Sequence, residues 1–412
     1  MRVFVAIIIC FFLLIPSLTK GSNDSSKLPN IVIIILDAAR ADHFSSYGYG
    51  KKTTPLMDAI GRKGAVFLNN FVQATETYTS LPLILSSRYF SNPIFQMDTW
   101  SWGMRRENQQ TVFKRFDDQQ ILLPAFLSAS GYWTAMFHNH PWFVDETDLV
   151  KAFDESFIFP TDSRDPVDGR MVDAILSWIA KHREDRFFIY CHIMSPHQPY
   201  PPKDADLDFI PREKLSDLNR VREKFNRCMS DNSLDWTPEE LSLYGVMYDS
   251  NLKHTDVQVG RLYKEIEKLC LAEKTIFIIT SDHGELLGQH GRLAHGDFLP
   301  WDPLIHVPLI MIWPGKIPPT VRLKGLTESV DIFPTIVDIC GLELPPGKAL
   351  DGVSLKRLFR APTAGREAVY AKGVVRTPKY KFYVNRDLFF EIQKDPGEEM
   401  NISNSRPAQL KK

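Results

Sequence analysis

Four unbroken apolar runs stand out along the chain: Ile31 to Leu36, Phe187 to Ile193, Thr275 to Thr280 and Val307 to Ile312. They are continuous rather than alternating, the pattern of central parallel strands buried on both faces. Helical spacing fills much of the sequence between them. Residues Val172 to Ile179 keep their apolar positions on one face, and Leu241 to Leu269 repeats apolar residues at three- and four-residue steps. Strands alternating with helices predict an α/β fold, a sheet covered by helices on both faces. From about residue 366 the pattern changes to closely spaced candidate strands, Ala368–Val374, Tyr380–Val384 and Leu388–Ile392, which predict a small antiparallel C-terminal subdomain. Residues 201–236 are polar and proline-interrupted and read as an excursion beside the site. The expected organisation is a targeting segment over 1–21, a polar linker over 22–28, a catalytic domain over 29–360 and a subdomain over 361–412.

Composition narrows the classes. The 412 residues are 44% hydrophobic and 24% charged, which argues against a disordered or multi-pass membrane chain. Lys and Arg number 49 against 50 Asp and Glu, so no basic excess exists for a nucleic-acid backbone. Met1-Arg2 followed by the apolar run Val3 to Ile15 reads as an export signal, and the chain is expected to be secreted or periplasmic. An uncleaved anchor is the alternative, and it is the only membrane contact expected. Four cysteines follow that segment: Cys191 reads as a core residue, Cys228 and Cys270 could pair, and Cys340 completes the set.

Ligands bind at the carboxyl ends of strands in open α/β sheets. Two of the strongest strands end on ionisable residues, the first on Asp37 and the third on Asp282-His283-Gly284-Glu285. Asp37, Asp282 and His283 together suit one divalent cation, because hard carboxylates join a borderline imidazole. The plainer alternative is that each Asp caps a following helix. A third element, Glu76-Thr77-Tyr78-Thr79-Ser80-Leu81-Pro82, crowds hydroxyls at the start of a helix, with Pro82 expected in its first turn.

These segments resemble the sulfatase family of the alkaline-phosphatase superfamily. The likeness runs from about residue 29 to 403. It includes Asp37 with Arg40-Ala41-Asp42, Thr54-Pro55-Leu56-Met57-Asp58, Ser195-Pro196-His197-Gln198-Pro199-Tyr200, Asp282-His283-Gly284-Glu285 with Gly288-Gln289-His290-Gly291, and Asp395-Pro396-Gly397-Glu398. The resemblance implies a mixed, mostly parallel sheet and a metal-dependent ester hydrolase. It also implies one divalent ion (Zn, Mn or Ca) held by Asp37, Thr77, Asp282 and His283, and a small-molecule or glycan- or lipid-linked anionic ester as substrate.

The departures shape the expected chemistry. Sulfatases convert a Cys or Ser within C/S-x-P-S-R to formylglycine, whereas Thr77 falls at that position here and Leu81 replaces the Arg. The segment resembles the phosphoethanolamine transferases, whose unmodified Thr takes the phosphoryl group. A single Asp37 followed by Ala38 is similar to the phosphonate monoester and phosphodiester hydrolases of the superfamily. The expected activity is therefore phosphoester hydrolysis or phosphoryl transfer, with Thr77 as nucleophile and His197 and His295 holding oxygens or protonating the leaving group. A sulfuric ester hydrolase is the alternative, and an inactive binding protein of the same fold is a third class. His138 and His140 stand open between the site and an aromatic loop with Trp142 and Phe143, and His192, His254 and His306 read as structural.

Overall fold

The computed structural model describes residues 28–89, 121–141, 143, 147–160, 167–231, 235–296, 298–384 and 386–405. Eight strands form the main sheet: β1 (Asn30–Leu36), β2 (Ala65–Phe71), β3 (Trp133–His138), β4 (Glu155–Ile158), β5 (Phe187–Ile193), β6 (Thr275–Thr280), and, after a two-stranded ribbon of β7 (Leu286–Leu287) and β8 (Leu293–Ala294), β9 (Leu309–Ile312) and β10 (Val321–Glu328). Their order is β10-β2-β9-β6-β1-β5-β3-β4.

All neighbours pair in parallel except β9, which runs antiparallel to both β2 and β6. The apolar run Val307–Ile312 therefore corrects one expectation: it is a buried strand, but it runs against the others. Burial on both faces selects apolar residues whichever way a strand points.

β1 lies between β5 and β6, and every one of its residues is buried. Ile31, Ile33 and Ile35 pack on one face with the helices Thr77–Ser86, Leu123–Ala129 and Ile332–Cys340. Val32, Ile34 and Leu36 pack on the other with the helices Pro55–Gly61, Val167–Lys181, Leu215–Asp231 and Pro238–Lys268. Each fully buried Ile contributes about 1.5–3 kcal/mol, so this strand is a principal source of stability.

The 201–236 region is more ordered than its polarity suggests. It contains the helix Leu215–Asp231, whose Leu218, Val221 and Phe225 join the core while Arg222 binds Asp206 at 2.7 Å and the Tyr200 carbonyl at 2.9 Å.

Toward the C-terminus, β11 (Val369–Ala371), β12 (Val374–Arg376), β13 (Lys381–Tyr383) and β14 (Leu388–Phe390) make an antiparallel sheet. The segment expected as one strand, Ala368–Val374, turns at Gly373, whose φ is +73°, and contributes to two. The targeting segment and the Cys228 side chain lie outside the described residues, and Cys270 is exposed. Among the described residues no helix is long and apolar enough to cross a membrane.

Candidate active site

The tips of β1 and β6 are fastened side by side. The Asp37 amide donates to the Ile193 carbonyl at 2.9 Å, which aligns the end of β1 with β5. Ser281 Oγ accepts from the Ala39 amide at 2.9 Å and lies within hydrogen-bond reach of the Leu36 and His283 carbonyls. Directly after Asp37 the backbone enters the left-handed region at Ala38, φ 59°. Tyr248, on the long helix Pro238–Lys268, holds that turn by donating to the Ala38 carbonyl at 3.0 Å and accepting from the Arg40 amide at 2.8 Å. Gly284 is required by space, because a β-carbon there would collide with the Pro303 carbonyl.

Asp37, Asp282, His283 and Thr77 are brought together and buried. Neither Asp caps a helix. Asp282 Oδ1 accepts from the His283 amide at 3.1 Å, while Asp282 Oδ2 and Asp37 Oδ1 have no hydrogen-bond partner. His283 Nδ1 meets the Gly284 carbonyl at 2.9 Å, which directs Nε2 inward. That nitrogen is 3.5 Å from Asp37 Oδ1, 3.6 Å from Asp282 Oδ2 and 3.1 Å from Thr77 Oγ1. Two buried orphan carboxylate oxygens around an imidazole nitrogen and a hydroxyl form a donor set that fits a divalent cation.

Thr77 is the first residue of the buried helix Thr77–Ser86. The expectation that Pro82 lies in the first turn is corrected: it is the sixth residue, well inside the helix. The Ser86 hydroxyl donates to the Pro82 carbonyl at 2.6 Å, and the Ser80 hydroxyl donates to the Asp282 carbonyl, tying the helix to the β6 tip.

His197 and His295 face each other with ring centroids 4.6 Å apart, and His295 lies 4.2 Å from the His283 ring. His295 Nδ1 pairs with Glu285 Oε1 at 2.9 Å, and Glu285 Oε2 accepts from the Tyr200 hydroxyl at 2.9 Å. Burial opposes charge on His295, but the Glu285 carboxylate outweighs it, with help from Asp37 and Asp282, and lifts the imidazole to about 9. Burial likewise opposes ionisation of Asp37, yet His197, His192 and His283 hold it well below the usual carboxylate range.

The sequence reasoning missed two residues, Glu285 and His192, and left a third, His140, open. Glu285, quoted only as part of a motif, orients His295. His192 is not remote from the site: its Nε2 is 3.0 Å from Asp37 Oδ2. His140 Nε2 stands 3.8 Å from the same oxygen, and burial keeps this imidazole well below its ordinary value and so neutral. A signal for His192 was available, since an ionisable residue in an unbroken buried run needs a partner. His254 and His306 lie elsewhere: His306 Nε2 meets the Leu68 carbonyl at 2.9 Å and stacks on Phe71.

A mostly parallel sheet with this constellation at its strand tips defines an alkaline-phosphatase-like hydrolase fold. The chain belongs to the sulfatase family: the family model described as Sulfatase matches residues 29–342. Relatives include arylsulfatase K of Mus musculus, 24% identical over 95% of this chain and 79% of that protein. Another is an ulvan-active sulfatase of Formosa agariphila, 24% identical over 93% of this chain and 79% of that one. The fold is similar to the phosphonate monoester hydrolase of Agrobacterium radiobacter, with a TM-score of 0.71 at 20% identity over 93% of this chain and 92% of that one.

Proposed function

We propose that this chain hydrolyses an anionic ester at the strand-tip site, with Thr77 as the nucleophile. The observation that carries the reading is the Thr77 hydroxyl, 3.1 Å from His283 Nε2 beside two orphan carboxylate oxygens. The names of the relatives favour a sulfate ester on a small molecule or glycan. A second reading, a phosphate mono- or diester, is favoured by the Thr side chain itself, which cannot become the formylglycine aldehyde.

Asp37, Asp282, His283 and Thr77 would hold a divalent ion (Zn, Mn or Ca), which when bound supplies positive charge to the ester and lowers the hydroxyl pKa. Thr77 Oγ attacks phosphorus or sulfur, and the ester oxygen departs opposite it. His295, kept protonated by Glu285, and His197 stand beside His283, where one donates a proton to the leaving oxygen. Water then breaks the Thr77–phosphoryl or Thr77–sulfuryl bond. Esterified Thr77 has no second hydroxyl to expel the group by elimination, so turnover depends on this attack, with the histidine that gave up its proton taking one from the water; phosphorus supports such attack well. The Arg2 and Val3–Ile15 pattern supports action outside the cytoplasm, tested by fractionating a tagged full chain.

Paired assays with aryl sulfate, aryl phosphate and aryl phosphodiester on unmodified protein separate the two readings. Phosphoester turnover above sulfate turnover, with a phosphorylated Thr77 trapped by mass spectrometry, selects the second. Sulfate turnover above both selects the first. In either case Thr77→Ala is expected to lose about 10²-fold or more in rate, and a near-wild-type Thr77→Ala would refute the nucleophile assignment.

A further inference from the structure

The two oxygens of Asp37 face different neighbours. Oδ1 looks toward His283 and Asp282, the cluster assigned above. Oδ2 looks the other way, toward His192 Nε2 at 3.0 Å and His140 Nε2 at 3.8 Å. These three ligand atoms lie within 4.8 Å of one another, and all three residues are buried. They come from three adjacent parallel strands: Asp37 follows β1, His192 lies in β5 opposite Ile35, and His140 follows β3. Among the described residues no Lys or Arg forms an ion pair with Asp37.

The surroundings of His192 suit a ligand. Its Nδ1 is 3.0 Å from the buried Tyr190 hydroxyl, a group that can donate or accept. With the proton on Nε2, His192 donates to Asp37 and accepts from Tyr190. With the proton on Nδ1, it donates to Tyr190 and turns the Nε2 lone pair toward Asp37 Oδ2 and His140. Partners of this kind fix the tautomer and orientation of metal-bound imidazoles. Phe143 stacks on His140 at 4.6 Å and meets His192 edge-on at 5.3 Å, walling the pair with an apolar ring.

We propose that Asp37 bridges two cations, the second held by Asp37 Oδ2 with Nε2 of His140 and His192. The inference rests on the first-cation reading of Asp37, Asp282, His283 and Thr77. Two imidazoles and one carboxylate oxygen select Zn²⁺ over Ca²⁺ or Mg²⁺, because imidazole suits borderline ions and hard ions demand oxygen. Sites with two ions have them roughly 3.5–4 Å apart, a span one bridging carboxylate covers. The second ion adds positive charge behind the first and fixes the rotation of Asp37. The competing arrangement has His192 donating to Oδ2 as an outer partner of a single ion.

Metal content separates the two arrangements. Full-length protein is stripped with chelator, titrated with Zn²⁺ and measured by calorimetry and elemental analysis. The wild type is expected to bind two equivalents, and His192→Gln and His140→Gln one each, with their fold checked by circular dichroism. Two Mn²⁺ ions should give an exchange-coupled electron-spin-resonance spectrum that His192→Gln converts to the six-line spectrum of an isolated ion. One equivalent in the wild type, unchanged in both His variants, overturns the proposal. Asp282→Asn tells the two readings apart. Retention of one ion supports both, whereas retention of two while His192→Gln loses one upholds the second ion and refutes the first-site ligand set.

Discussion

Two buried clusters of charge in this protein look alike by composition and differ in their pairing. In the C-terminal cluster, Lys381 Nζ lies 2.9 Å from Asp302 and 2.8 Å from Glu398, Arg376 reaches Asp302 at 3.0 Å, and the Tyr383 hydroxyl donates to Glu398 at 2.7 Å. At the strand tips, Asp37 and Asp282 each leave an oxygen without a hydrogen-bond partner, and among the described residues imidazoles rather than Lys or Arg stand beside them. The first cluster completes its own charge and hydrogen bonds, so it joins β13 to the main body. The second is complete only with something added. Orphaned buried carboxylate oxygens, more than the presence of acids, mark where the chain meets a ligand.

The sharpest break of this comparison is a pair of substitutions. Lys381→Met leaves the buried Glu398 carboxylate without its cation and Asp302 with Arg376 alone, and should destabilise the fold by about 3–5 kcal/mol, read by chemical denaturation, while the melted fraction at assay temperature accounts for any activity loss. Asp282→Asn removes an unpaired buried charge, so metal-free protein should melt no lower than the wild type while activity collapses. Equal destabilisation by the two changes would erase the distinction between the clusters.

Metal addition should then act on one cluster alone. A cation at 100 times its dissociation constant stabilises the folded state by about 2.7 kcal/mol. The wild type should gain thermal stability on adding Zn²⁺ or Mn²⁺ and lose it with chelator, and Asp282→Asn should gain less. Lys381→Met should gain as much as the wild type.

The smallest effect is a pH shift. Because Glu285 raises His295 to about 9, the imidazole is protonated at neutral pH, and its acid role is lost as pH rises through that value. Glu285→Gln removes the main opposing charge, so the alkaline limb of the rate profile should move down by about one pH unit or more, worth about 1.4 kcal/mol per unit. An unmoved limb would exclude the His295–Glu285 pair as its source.

Asp37 and Asp282 are legible in the sequence because each ends an unmistakable apolar run, and parallel strands place such ends together. His192 is only half legible: its place inside a buried run calls for a partner, but only the β1–β5 register, with Ile35 opposite His192, makes that partner Asp37. His140 depends on β3, whose residues Trp133–His138 mix polar with apolar side chains and do not announce a buried strand. β9 shows that periodicity reports burial and is blind to direction. The helix Leu215–Asp231 escaped notice because its polar face dominates its composition, although three apolar side chains at helical spacing reach the core.

The position of β1 between two later strands also sets a timetable for biosynthesis. β5 begins 157 residues after Asn30, and β6 begins 275 − 30 = 245 residues after it. At ~5–20 residues per second, the ribosome takes roughly 12–50 s to deliver the second neighbour. Through that interval the nascent chain carries an Ile-rich segment with unmated backbone edges, the kind that self-associates. A cation held jointly by Asp37 and Asp282 could load only late, once both carboxylates have been made. A product truncated before residue 275 leaves β1 without one of its two neighbours and lacks Asp282.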